Sequence, residues 1–260
     1  MSDYQTIEVT HDGPRSTIQV QRPDKLNALN SNVLEELEAA ALDLQTRDGL
    51  RVVVVEGEGR AFVAGADIAS MAEMSAEQGR AFLRQGHDTM NAIESIPVPT
   101  IAAVDGFALG GGLELAIACD LIVASVRAAF GAPEVKLGII PGFGGTQRLR
   151  RMIGAHRARH LVFTGERIDA ETAADYGLVL EVVDADDFQD HIDSLASSIE
   201  SRGPLALKAA KRVMHQGQDL DLDEGLSAER QAFANLFETE DRLEGMEAFL
   251  ERRDPNFNGE

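Results

Sequence analysis

The sequence predicts an α/β fold, with a core over residues 1–200 and a helical region over residues 201–260. Three observations lead there. Val52–Val55 is an unbroken β-branched run, and the apolar stretches Thr100–Val104 and Leu121–Ala124 resemble it, as expected of strands buried on both faces. Stretches with helical spacing alternate with these runs. From Asp186 onward only helical patterns follow, with a break at Ser201-Arg-Gly203-Pro204 that separates core from tail.

Each element has its own signal. Ile7 and Val9, then Ile18 and Val20, alternate with polar residues around Asp12-Gly13-Pro14, which predicts two short strands and a turn. Asn30-Ser31-Asn32 offers caps for a helix whose apolar face is Val33, Leu34, Leu37, Ala41 and Leu44. Glu56-Gly-Glu-Gly59 ends the Val52–Val55 strand. A polar helix is expected from Ala76 to Glu94, broken by Pro97-Val-Pro99. Gly110-Gly-Gly112 opens a helix carrying Leu113, Leu115, Ala116 and Ala118. Beyond Pro141, helices are expected at Gln147–Ile153, Ala155–Phe163 and Ala170–Tyr176, with one strand at Val179–Val183. In the tail, Leu226, Phe233 and Phe237 form one apolar stripe and Met246, Phe249 and Leu250 another, and both need a partner surface.

Charge narrows the function. Asp and Glu number 44 against 24 Lys and Arg, for a formal charge of −20. Like charge repels nucleic acid and anionic membrane, so neither is an expected partner. Lysine occurs only at Lys25, Lys136, Lys208 and Lys211, and aromatics make up 5%. Such a surface suits high salt, where screening relieves self-repulsion. The single cysteine, Cys119, excludes an intrachain disulfide and suits a reducing compartment. The start Met1-Ser-Asp-Tyr lacks a signal-peptide layout, and no apolar run reaches membrane-spanning length, so a cytoplasmic protein is expected.

Two glutamates twenty positions apart carry the chemical signal, Glu114 after the glycine run and Glu134 in Phe130-Gly-Ala-Pro-Glu134. Glu114 sits among Leu113, Leu115, Ala116 and Ile117, where a carboxylate is costly unless paired or working. Two carboxylates in different environments can divide acid and base roles. A helix opening at Gly111-Gly112 presents unpaired N–H groups and a positive dipole end. Ala64-Gly65-Ala66-Asp67 is a second turn of small residues, and two such turns can give one N–H each to an oxyanion hole. The glycines fit neither a dinucleotide fingerprint nor a phosphate loop. The six histidines show no metal spacing, and no serine lies in a nucleophile elbow.

These segments, taken in order, resemble the enoyl-CoA hydratase/isomerase (crotonase) family. The matching pieces are Arg22-Pro-Asp-Lys25-Leu-Asn27-Ala28-Leu29, Ala61 to Ile68, Pro97 to Gly106, Ala108 to Glu114, Cys119-Asp120, Phe130 to Glu134, Leu137-Gly138, Pro141-Gly-Phe-Gly-Gly145-Thr-Gln147-Arg148-Leu149, and the tail through Arg253. The resemblance implies a spiral of ββα units, a C-terminal trimerisation region, and trimers or dimers of trimers. It implies a coenzyme A thioester substrate, with no metal and no separate cofactor. The amides of Ala66 and Gly111 would hold the thioester oxygen. Glu114 and Glu134 would carry the syn addition of water to a trans-2-enoyl-CoA, Glu114 at the attacking water and Glu134 at C2, with the division between them open. Ala64, Asp67, Ile68, Lys25, Ala28, Arg60 and Gly110 would line the substrate. Many hydratases carry a lysine where Ala69 stands here, so Arg60, Arg22 and Lys25 are the expected substitute cations. An isomerase, or an acyl-CoA-binding member without activity, is the alternative reading.

Overall fold

A computed structural model describes residues 4–260, so the start of the chain read above for a leader falls partly outside the described residues. Six strands form the main sheet in the order β1 (Ile7–Asp12), β2 (Arg15–Val20), β3 (Val52–Gly57), β4 (Thr100–Val104), β6 (Leu121–Ser125) and β9 (Glu181–Val183). Within this sheet the β1–β2 hairpin is antiparallel and the other pairings are parallel. A smaller sheet joins β5 (Phe107–Leu109), β7 (Ala129–Gly131) and β8 (Arg167–Asp169).

The β-branched run of β3 is buried on both faces because successive side chains point to opposite sides. Val53 and Val55, with Ala102 and Val104 of β4, join the larger core. Helices α1 (Ser31–Gln45) and α3 (Ala76–Glu94) add Leu34, Leu37, Phe82 and Met90 to it. Val52, Val54, Ile101 and Ala103 face the other way, onto Phe188, Ile192 and Ala196 of α8 (Phe188–Glu200). Helix starts follow their caps. The Asn30 side chain accepts from Val33 N–H, and Ser75 and Gln78 complete a reciprocal capping box on α3.

The spiral arises from a repeated order. A main-sheet strand is followed by a short second strand and then by a helix. β4 leads to β5 and α4 (Gly111–Ala116); β6 leads to β7, a 3-10 turn at Pro133–Leu137 and α5 (Gly145–Ile153). β3 follows the same course, with Val63 bridged in parallel to Ala108 before the short helix α2 (Ile68–Met71) and α3. The second strands of three turns therefore lie side by side.

Several expected boundaries shift. The three strands of the small sheet were not expected, because three residues carry no readable alternation. Helix α4 ends at Ala116, before Ala118. Helix α5 starts two residues early at Gly145, since glycines can enter a helix whose N–H groups find a partner. α6 (Ala155–Thr164) runs one residue longer than expected and α7 (Ala170–Asp175) one shorter, while the strand expected at Val179–Val183 shortens to β9. The tail forms α9 (Pro204–Gly217), α10 (Leu222–Leu236) and α11 (Glu240–Glu251), but residues 252–260 are not helical. They are held instead by Asp241, whose carboxylate accepts from Asn258 and Gly259 N–H.

Candidate active site

The three neighbouring second strands all end at one place, and each delivers a different part of the site. After Val63 comes the turn Ala64–Ala66. After β5 come Gly110 and Gly111, and after β7 come Pro133 and Glu134. Gly110 N–H donates to Gly131 C=O at 2.8 Å and Leu109 N–H to Val63 C=O at 3.1 Å, which stitches the three ends together. Gly112 packs so closely that an added Cβ would stand 1.9 Å from the Val63 carbonyl oxygen. Gly110, at φ +52°, permits a left-handed turn, and a Cβ there would lie 2.8 Å from Glu134 Oε1.

Two amides at these ends lack partners. Leu29 N–H bonds Gly65 C=O and Asp67 N–H bonds Leu29 C=O, which skips Ala66. Gly111 is the first residue of α4, where no intrahelical acceptor exists. Among the described residues neither N–H donates to a protein acceptor.

Glu114 is 3% exposed. Its Oε1 accepts from Phe143 N–H at 2.8 Å and Gly145 N–H at 2.6 Å, so the carboxylate rests on the N-terminus of α5. Burial pushes its pKa up to about 7, and the charge of Glu134 adds to the rise, while the two amides and Arg148 oppose it. Glu134 is raised as well, first by burial. Its Oε2 is buried with no hydrogen-bond partner. Two carboxyls with raised pKa values beside two unpaired amides are suited to polarising a carbonyl and moving protons next to it.

The other expected residues form a rim. Ala64 N–H is bonded to Leu26 C=O, and Ile68 is 46% exposed at the start of α2. Lys25 and Arg60 are exposed and form no ion pair among the described residues. Gly59 packs near Pro23, which places the Arg60 and Lys25 segments together. Arg22 differs from expectation. It is committed to the loop, pairing with Asp67 at 3.2 Å and donating to Ala28 C=O, and its side chain is 17% exposed. Its role is to position Asp67 and Ala28, and it is not a free cation.

Sequence reasoning missed the support for this site. Asn27 is fully buried, and its Nδ2 donates to the carbonyls of Glu58, Ala61 and Phe62 at 2.9, 2.7 and 3.2 Å. A polar residue between Leu26 and Ala28-Leu29 was its signal. The Phe143 and Gly145 amides were missed as well, although a glycine run opening a helix, the rule that marked Gly110–Gly112, was the signal that could have found them. Cys119 is buried as expected, with its thiol pushed up to about 12, so it is inert. Among the described residues no cluster of His, Cys, Asp and Glu could hold a metal, and no helix is long and apolar enough to cross a membrane.

The fold is an α/β scaffold of the crotonase type, and it sets two carboxyls of raised pKa beside two unpaired amides. The chain belongs to the enoyl-CoA hydratase/isomerase family, whose model matches residues 16–260. It is 42% identical over 252 residues to a short-chain-enoyl-CoA hydratase of Clostridium acetobutylicum, covering 96% of this chain and 97% of that protein. It is 41% identical to a crotonyl-CoA hydratase of Syntrophomonas wolfei, covering 98% of each. The crystal structure of an enoyl-CoA hydratase from Bacillus anthracis superposes with a TM-score of 0.96 at 41% identity, over 98% of this chain and all of that one.

Proposed function

We propose that the protein is an enoyl-CoA hydratase that adds water across the double bond of a trans-2-enoyl-CoA, giving a 3-hydroxyacyl-CoA. The observation that carries this is the presence of two carboxyls on adjacent turns of the spiral, Glu114 buried and Glu134 half-buried with its Oε2 unpartnered, both raised by desolvation. An isomerase needs one group to move a proton along the chain, whereas hydration has both a water to activate and a carbon to protonate.

In this reading the thioester oxygen accepts from Ala66 and Gly111 N–H, and electron density drawn onto it makes C3 electrophilic. Glu114 orients the water and takes its proton as it adds to C3. Glu134, with its unpartnered Oε2, passes a proton to C2 of the enolate. A carboxyl poised near neutrality exchanges protons with little driving-force penalty, which suits a reversible reaction. Lys25 and Arg60 face the coenzyme phosphates as the free cations of the rim. Coenzyme A arrives with the substrate, so no separate cofactor is invoked.

The tail over residues 201–260 is read as the assembly region. Phe233, Phe237, Phe249 and Leu250 are 62%, 44%, 79% and 79% exposed, an apolar surface suited to a neighbouring subunit in a trimer or a dimer of trimers. The buried free thiol suits a reducing cytoplasm and the −20 charge suits high salt.

The test is to incubate the purified protein with crotonyl-CoA in molar salt and follow loss of the enoyl absorbance, with 3-hydroxybutyryl-CoA identified as product. Double-bond migration in a 3-enoyl-CoA without hydration of crotonyl-CoA would favour the isomerase instead.

A further inference from the structure

We infer that Phe143 closes the acyl end of the site, so that crotonyl-sized thioesters are accepted and long acyl chains are excluded. This deepens the hydratase reading and rests on it.

The head of the substrate is fixed by the Ala66 and Gly111 amides and by the two carboxyls. With the thioester so placed, we take the acyl chain beyond C3 past Gly111 and Glu114. Phe143 abuts both. Its N–H holds Glu114 Oε1, and its ring lies 3.1 Å from where a Gly111 Cβ would stand. It is the one side chain in Gly142-Phe-Gly-Gly145, so the ring alone fills the space that this loop leaves.

The ring has little freedom to withdraw. Behind it, α3 offers Gly86, and a Cβ on Gly86 would stand 2.0 Å from a Phe143 ring carbon. The ring is therefore seated against a position on that helix where no side chain intrudes. Phe82 meets it edge-on at 5.3 Å between centroids. Both rings are 3% exposed, and Leu83 covers the neighbouring Gly142. Loop and helix are tied further along, where Arg148 reaches from α5 to Asn91 and Glu94 of α3 at 2.7 and 2.6 Å. A longer chain has to displace a packed aromatic ring or move α3. One extra methylene in a close apolar pocket already costs about tenfold or more in kcat/KM.

The experiment compares kcat/KM for crotonyl-CoA and trans-2-decenoyl-CoA in wild type, Phe143→Ala and Phe143→Leu. Calorimetric affinities for butyryl-CoA and decanoyl-CoA, which need no turnover, are measured alongside. Wild type is expected to favour the short ester by about a hundredfold, and Phe143→Ala to shrink that ratio at least about tenfold, with Phe143→Leu between. Should Phe143→Ala not fold, a smaller ratio in Phe143→Leu carries the same meaning. Equal use of both chain lengths by wild type, or a ratio unmoved by the substitutions, overturns the inference. Loss of all hydration with short-chain binding preference retained would overturn the hydratase reading alone.

Discussion

Glu114 is held between opposing influences. Burial disfavours its charge, while two amides at the start of α5 favour it. Burial wins, and the pKa rises from 4.5 to about 7. The sign of the stability effect follows. A carboxyl raised in the folded state carries no penalty below its unfolded pKa, and the cost of ionising it grows as pH climbs to about 7 and then stays constant. Glu114→Gln keeps an oxygen for both amides and removes that cost. The variant is expected to match wild type in stability near pH 4.5 and to exceed it by up to about 3 kcal/mol above pH 7. Denaturant unfolding at several pH values reads the difference, and a difference independent of pH would contradict the assigned environment. At this scale the sequence was informative: a carboxylate between apolar neighbours and a glycine run before a helix each carry a direct physical cost or opportunity. Arg22 was misjudged because its partners, Asp67 and the Ala28 carbonyl, are chosen by a loop that the sequence does not draw. Phe143 was legible only as an apolar residue between glycines, since the Gly86 gap that receives it lies on a helix far along the chain.

At the scale of elements, Asp120 is the charged tie between α9 and the sheet, beside a Lys211 Nζ bond to Val98 C=O at 3.0 Å. Asp120 accepts from Thr100 N–H and Oγ1 and pairs with Lys211 at 2.6 Å and His215 at 2.9 Å. Burial alone would raise its pKa, but the His215 hydrogen bond and the Lys211 charge outweigh burial and hold it below the usual carboxylate range. A depressed carboxyl contributes stability above its unfolded pKa and loses it as pH falls through the folded one. Asp120→Ala leaves the Lys211 ammonium, whose side chain is 8% exposed, without its counter-ion and with the Val98 carbonyl as its remaining partner, and should cost about 3 kcal/mol. Hydrogen exchange should show α9 amides opening first. Unchanged protection across α9 would mean that other contacts hold the helix. The main-sheet strands were readable because buried β-branched runs have few alternatives. The three-residue strands of the small sheet were not, since their pairing depends on partners about twenty residues or more away and their own pattern is too short to have a period.

For the whole molecule, a charge of −20 spread over 260 residues is a standing repulsion, and salt relieves it. The melting temperature is expected to rise between low and molar salt. Scanning calorimetry that finds no rise would remove the high-salt reading. Composition gave this expectation directly, because charge needs no fold to be counted. How exposed tail residues such as Phe249 are covered depends on other copies of the chain, which a single sequence does not place.

The central claim is that two carboxyls act as one unit beside a polarised thioester. Steady-state hydration of crotonyl-CoA by Glu114→Gln, Glu134→Gln and the double variant tests it most directly. Each single change should lower kcat by about a thousandfold or more, and the double variant should lose little beyond the worse single one, as residues acting in concert do. Near wild-type turnover in either single variant, or losses that multiply in the double, would contradict the account.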